Sequence, residues 1–431
     1  MDLKGASIRR LSAGQIDSAL ASIATFAAGV YAVSEFDATL LGAYVVTFTA
    51  WNVARTLASE MVFVPSEVVA ISRSDGGITV LDSSLWRGTL VSLLGALGVM
   101  ASIFLILGEV DRGAAIALTV TGAAVTILAP LHEHWRRMFH IADSSWRAAA
   151  VSALHVFVTV VGLLVLPRLV PPAWIPFGVL AVGFFVSTLL AVVLTAAVRP
   201  DGENRFGHPS WLELTRIGRW LLVAQVSVVV SDFLLVLIAR AIIGGEMVGY
   251  AEGARVVARP IQILGLGLAA VLGPRSLRFA IEGDDAKARK TRRTLWTLTS
   301  LAAVIYLPLV GFDWALNPLP DLVPTAYEID GLVAATIIGS TLLNLSLPWW
   351  YEALGGRRQF QIAISEVTGS VLKVATGFLA ASLQAFVFPI AWAVGWLARG
   401  TGLGLISRSV FQPVDQVGDS LAPDSSTESD G

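Results

Sequence analysis

The chain contains no cysteine, which excludes disulfides, thiolate metal sites and cysteine nucleophiles. Charge is scarce as well. Only 14% of its 431 residues are Asp, Glu, Lys or Arg, against about 25% in soluble domains. Alternating ten-residue segments, the mark of a membrane barrel, are missing. Long polar connections are missing too: the longest on the side opposite the termini is "DWALNPLPDLVPTAYEID", residues 313–330. No connection is large enough to fold alone, so the chemistry must lie within the apolar segments.

Those segments dominate. The chain is 55% hydrophobic, its mean hydropathy is +0.72, and many runs reach the roughly 20 residues that cross a hydrocarbon core. The composition implies an all-α integral membrane protein. "MDLKGASIRRLSAG" places positive charge before an apolar run, as a signal peptide would. Residues 15–33 are long enough to span and are followed by more spans, so a retained first helix is expected.

Apolar runs and their polar breaks predict twelve transmembrane helices, at 15–33, 38–60, 87–107, 113–131, 148–167, 176–198, 220–243, 248–272, 295–312, 331–350, 361–381 and 386–406. Counting Lys and Arg in the connections orients them. With the N-terminus inside, the inner segments hold 22 basic residues and the outer ones only Arg112 and Arg168. Both termini are therefore expected in the cytoplasm. The inner connection from Arg199 to Arg219 divides the spans six and six. The expected organisation is an N-terminal bundle over 1–198, a cytoplasmic linker over 199–219, a C-terminal bundle over 220–408 and a disordered tail over 409–431. "GQIDSALASIATF" and "AQVSVVVSDFLLV", which open spans one and seven, form a faint internal echo of the kind transporters carry.

Six of the 30 basic residues fall inside spans: Arg55, Arg240, Arg255, Arg259, Lys373 and Arg399. Acids accompany them at Glu60, Asp232, Glu252 and Glu366. A charge at the centre of a membrane helix costs about 2.5–3.5 kcal/mol on insertion scales, and such groups face a bundle interior or a watery cavity. Glu252, Arg255 and Arg259 follow i, i+3, i+7 spacing and share one face of span eight, with Pro260 placed to bend it. Glu366, Ser370 and Lys373 share a face of span eleven, with Lys373 near mid-depth. Asp232 lies near mid-depth in span seven, where a serine on its own helix (Ser227 or Ser231) or a salt bridge to span eight could satisfy it. Arg399 is close enough to the inner end to snorkel.

Cations facing a cavity suit a phosphate or pyrophosphate, which Arg can hold bidentately. The candidate substrate-binding residues are Arg55, Arg240, Arg255, Arg259 and Lys373. Asp232, Glu252 and Glu366 either orient these cations or carry a coupling ion. No metal or other cofactor is expected, and any energy input would come from a proton or sodium gradient. "HEHWRRMFH" (132–140) has two His two residues apart but no carboxylate cluster nearby, so it is not read as a metal site. Trp349, Trp350, Trp392 and Trp396 suit an interfacial belt, with Trp392 deep enough to line a cavity. "GLGLAA" and "GTGLGL" follow no strand and are not phosphate loops.

The opening "LSAGQIDSALASIATFAAGVYAVSEFDATLLGAYVVTFTAWNVARTLASEMVF" resembles the first two helices of Wzx-type bacterial polysaccharide flippases. These belong to the multidrug/oligosaccharidyl-lipid/polysaccharide exporter superfamily, which includes the MATE exporters. "WRRMFHIADSSWRAAAVSALH" and "VSDFLLVLIARAIIGGEMVGYAEGARVVARP" are similar to that family too. The resemblance implies a MATE-like fold of two six-helix bundles around a central cavity. It implies alternating-access export of a lipid-linked oligosaccharide, usually on undecaprenyl pyrophosphate, across the bacterial cytoplasmic membrane for cell-surface polysaccharide biosynthesis. Partners would be the lipid-linked saccharide, membrane lipids, and a polymerase or glycosyltransferases; no nucleic acid is expected. The alternative is an ion-coupled, MATE-like exporter of small organic cations, which calls for a cavity dominated by acids. A membrane enzyme of envelope glycan assembly fits poorly, because the longest outer loop has neither His nor Arg.

Overall fold

Runs of about 20 apolar residues satisfy every backbone group internally only as helices, and helices are what form. The structure, a computed structural model, describes residues 3–36, 38–72, 77–108, 110–196, 209–322 and 324–411. Among these there is no strand. Twelve long helices follow in order: α1 (Leu3–Glu35), α2 (Ala38–Ala58, a π turn Ser59–Phe63, then Val64–Ser72), α3 (Gly77–Ala101), α4 (Arg112–Ile141), α5 (Ser145–Val165), α6 (Ile175–Ala196), α7 (Trp211–Ile243), α8 (Gly245–Glu282), α9 (Asp285–Val310), α10 (Leu332–Gly355), α11 (Gln359–Leu379) and α12 (Val387–Val410). Among the described residues, ten spans are long and apolar enough to cross a membrane. They correspond to α3–α12.

The helices outrun the spans. α8 continues to Glu282, α9 starts at Asp285 and α4 reaches Ile141, several residues past the apolar windows. Hydropathy marks only what meets lipid, whereas hydrogen bonding carries a helix on into its polar end. The extensions put Arg136, Arg137, Arg216 and Arg219 on helices, not in connecting loops.

The fold is two six-helix bundles. In the first, α1 packs on α5, α5 on α6, and α4 on α3 and α6. Its core centres on Tyr44, Trp51 and Phe177, whose rings meet at centroid distances of 5.1 to 6.2 Å. In the second, α10 packs between α8 and α12, and α11 between α7 and α12. The proposed linker residues 199–208 and tail residues 412–431 lie outside the described residues.

The halves meet where α1, α2 and α4 touch α7 and α8. Gln15 Nε2 donates to the Leu264 carbonyl (3.0 Å) and Ser18 Oγ to that of Ile263 (3.2 Å). A Cβ at Gly218 would lie 2.6 Å from the Glu60 carbonyl oxygen, and one at Gly267 3.0 Å from Gln15 Oε1. By contrast, a Cβ at Gly29 or Gly249 would meet nothing within 4 Å. Gly249 and Gly267 are separated by about five helical turns, and Gly29 and Ser18 by about three, so each pair shares a face. The same faces are therefore in contact at the Lys/Arg-rich end and apart at the other. The molecule is closed on the side that charge bias assigns to the cytoplasm.

Candidate functional site

Beyond the closed seam, α7 and α11 bring together charges that lie far apart in sequence. Lys373 Nζ donates to Asp232 Oδ1 at 2.8 Å, and Trp392 Nε1 donates to the same oxygen at 3.2 Å. Exposure is unequal: the Lys373 side chain is 3% accessible and that of Asp232 is 42%. Asp232 stands about five turns along α7 from Leu214, which packs against Ala58, Val62 and Phe63 of the other half. The carboxylate therefore points toward the space between the halves, with the ammonium tucked behind it. Among the described residues, nothing donates to its second oxygen.

Next to this pair, Arg399 Nε donates to Glu366 Oε1 at 2.6 Å and its Nη1 to Ser346 Oγ at 2.5 Å. Trp396 bridges the two ion pairs, its ring 5.2 Å from Lys373 Nζ and 5.4 Å from the Arg399 guanidinium. The shared face of Glu366, Ser370 and Lys373 is buried, as their spacing predicts. Arg399 corrects its expectation. It does not snorkel but is 6% exposed and paired in the core, because Glu366 on the neighbouring helix offers a better partner than the interface. Asp232 departs from both partners considered for it. Ser227 and Ser231 donate to carbonyls of their own helix, and the salt bridge runs to α11.

On α8, Ala251, Arg255, Arg259 and Ile263 form one i, i+4 row. Ala251 packs into the core with Leu235 and Phe388, and Ile263 receives the seam hydrogen bond from Ser18. Arg255 and Arg259 lie between those ends and are half-buried, so they border the space next to Asp232's helix. Just past Pro260, Asn344 of α10 reaches α8, its Nδ2 donating to the Ile261 carbonyl at 2.7 Å. Arg55 on α2 is exposed, its guanidinium 5.3 Å from the Trp51 ring centre. The side chains of Arg240 and Glu252 lie outside the described residues.

A second buried network escaped the sequence reading. Asp17 on α1 accepts from Arg136 Nε (2.8 Å) and Nη2 (2.6 Å), Ser152 Oγ (2.6 Å) and His140 Nε2 (2.9 Å). The signal in the sequence is a lone acid in the apolar run "GQIDSAL"; its partners Arg136 and His140 lie beyond the predicted end of span four at residue 131. Nearby, Arg137 bonds Glu133 (2.6 Å) and Glu67 (3.4 Å) and lies within electrostatic reach of Tyr351 in the other half. Of the histidines in "HEHWRRMFH", His134 stacks on Phe63 at 4.3 Å and His132 meets His155 at 5.1 Å.

Neither a family model nor a curated protein sequence matches the chain. Solved structures do match its fold. A MATE in the straight conformation is 14% identical, covering 97% of this chain and 98% of its own, with a TM-score of 0.71. An outward-facing multidrug resistance MATE of the MOP superfamily is 15% identical over 94% of this chain and 95% of its own, with a TM-score of 0.67. A MOP superfamily transporter from Pyrococcus furiosus, described as having a binding pocket of reverse polarity that suggests a different function, is 15% identical. It covers 95% of each chain with a TM-score of 0.66. The fold is MATE-like.

Proposed function

We propose that the protein is an alternating-access transporter that carries the anionic headgroup of a lipid-linked saccharide, of the undecaprenyl-pyrophosphate class, across a bacterial cytoplasmic membrane. The observation that carries this reading is the row of Arg255 and Arg259 leading to a seam that is closed at one end. Those two arginines and Arg55 supply positive charge beside the inter-bundle space, which is where two-bundle transporters bind substrate. A pyrophosphate arriving there competes with Asp232 for Lys373. Asp232 then acts as a stand-in anion that keeps the ammonium neutralised while the site is empty. Once displaced, its carboxylate can take up a proton or sodium ion and couple transport to a gradient.

In support of a departure from cation export, a transporter of similar fold from Pyrococcus furiosus is described as having a binding pocket of reverse polarity that suggests a different function. One observation favours a second reading, the export of small organic cations: Asp232, not Lys373, is the exposed member of the pair. Surface glycan export in R259A and K373A cells separates the two. Loss of export with the protein still in the membrane supports the flippase. Full export by the R259A/K373A double variant would sink it. Efflux of an organic cation that is lost in D232N, with glycan export intact, selects the exporter.

A further inference from the structure

At the closed end of the seam lies a cavity of about 260 Å³ that the transport site does not use. Its walls come from both halves: Val68 and Ser72 at the end of α2, and Gly356, Arg357, Arg358 and Val410 from the C-terminal bundle. Both arginines are exposed, and neither has an ion-pair partner among the described residues. We propose that this cavity is an anion site for a phosphate group, formed by Arg357 and Arg358, that holds the cytoplasmic seam closed when occupied.

Two observations support the assignment. The first is the way α10 ends. Arg358 N donates to the Ala353 carbonyl and Arg357 N to that of Leu354, both at 3.0 Å. This is a Schellman motif, whose left-handed residue is most often Gly. Here it is Arg357, with φ +57°, although Gly355 and Gly356 immediately precede it. The glycines are needed for close packing: a Cβ at Gly355 would lie 2.5 Å from the Leu277 carbonyl oxygen, and one at Gly356 would strike Val410. A left-handed position filled by Arg suggests a use for the guanidinium, because a turn alone would favour Gly.

The second observation is the start of α11. Arg358 is its N-cap and provides no side-chain cap, so the first N–H groups lack one and add partial positive charge beside the cavity. A phosphate bridging two guanidiniums at a helix start is a chemically ordinary arrangement. Because α2 supplies one wall, the complete site exists only while the halves touch. An anion that binds only the closed seam shifts the population toward it.

The absence of cysteine makes the test direct. Spin labels at W146C and K290C, exposed positions at the basic end of opposite halves, report the seam distance in the full chain in nanodiscs. In phosphatidylcholine discs, inorganic phosphate should shift the distance distribution toward the short, closed population and raise the Tm. In phosphatidylglycerol discs without free phosphate, the same shift would identify a lipid headgroup as the source. The R357G variant should lose both responses while its Tm without anion equals or exceeds that of wild type, because glycine suits the turn. R358Q should lose the responses as well. No shift in either disc, or an undiminished shift in R357G and R358Q, would overturn the proposal.

Discussion

Asp17 and Asp232 are both acids on long apolar helices paired to a cation on another helix, yet they are built differently. Asp17 is 1% accessible and accepts four hydrogen bonds, two from a forked guanidinium, leaving neither oxygen free. Asp232 is 42% accessible and receives both of its donors on one oxygen. A saturated carboxylate ties α1 to α4 and α5. A half-satisfied one keeps capacity for something that arrives. The pair of sites teaches that a charge in the membrane becomes a functional candidate through its unused valence, and burial alone is a poor guide.

Breaking the first site should have the largest effect. D17A leaves Arg136 buried without its partner, a loss of about 3–5 kcal/mol by analogy with broken buried pairs. The expected outcome is little folded protein in the membrane and a sharply lower Tm by thermal-shift measurement. Next comes the seam. G218L drives a side chain into the Glu60 and Met61 backbone, which cannot move aside as a flexible side chain could. Thiol labelling of S18C from the cytoplasmic side should rise in that variant, and transport should fall to background.

D232N sharpens the comparison. D232N removes the charge that neutralises the buried Lys373 but keeps an acceptor oxygen for its ammonium and for Trp392, so the stability cost should be smaller than that of D17A, with folded protein still recovered from the membrane. What should change is selectivity, measured as glycan export against cation efflux. A D232N protein as unstable as D17A would erase the distinction between the two sites. The smallest effect belongs to Asp111, the N-cap of α4, whose carboxyl is held below its usual range by the backbone N–H groups of Gly113 and Ala114. Its folded value is depressed, so its contribution is present above the ordinary carboxylate range and fades as pH falls through the lower value. Protection of the Gly113 and Ala114 amides, relative to their intrinsic exchange rates, should fall as pH drops below the ordinary carboxylate value of about 4, and D111N should flatten that dependence.

Much of this architecture could be read from residues alone. The twelve spans appear because lipid tolerates only sustained apolar helices, and the face shared by Glu366, Ser370 and Lys373 follows from helical periodicity. The pairings could not be read. Nothing in "EVTGSVLKV" says that Lys373 will find Asp232, 141 positions away, or that Glu366 will hold Arg399 in the core. Arg136 was hidden for another reason: hydropathy ends a span where lipid ends, while the helix and its buried polar contacts go on.

Sequence by itself determined the class, the helix order and the concentration of basic residues at one end of the helices, because these depend on local hydrophobicity and on charge counts. The tertiary structure alone decided which charges neutralise each other and which oxygen faces the space between the bundles. It also decided that Gly29 and Gly249 stand in the open while Gly14 and Gly267 are pressed together. Those facts depend on the distance between helices remote in sequence, and a helical period carries no information about that distance.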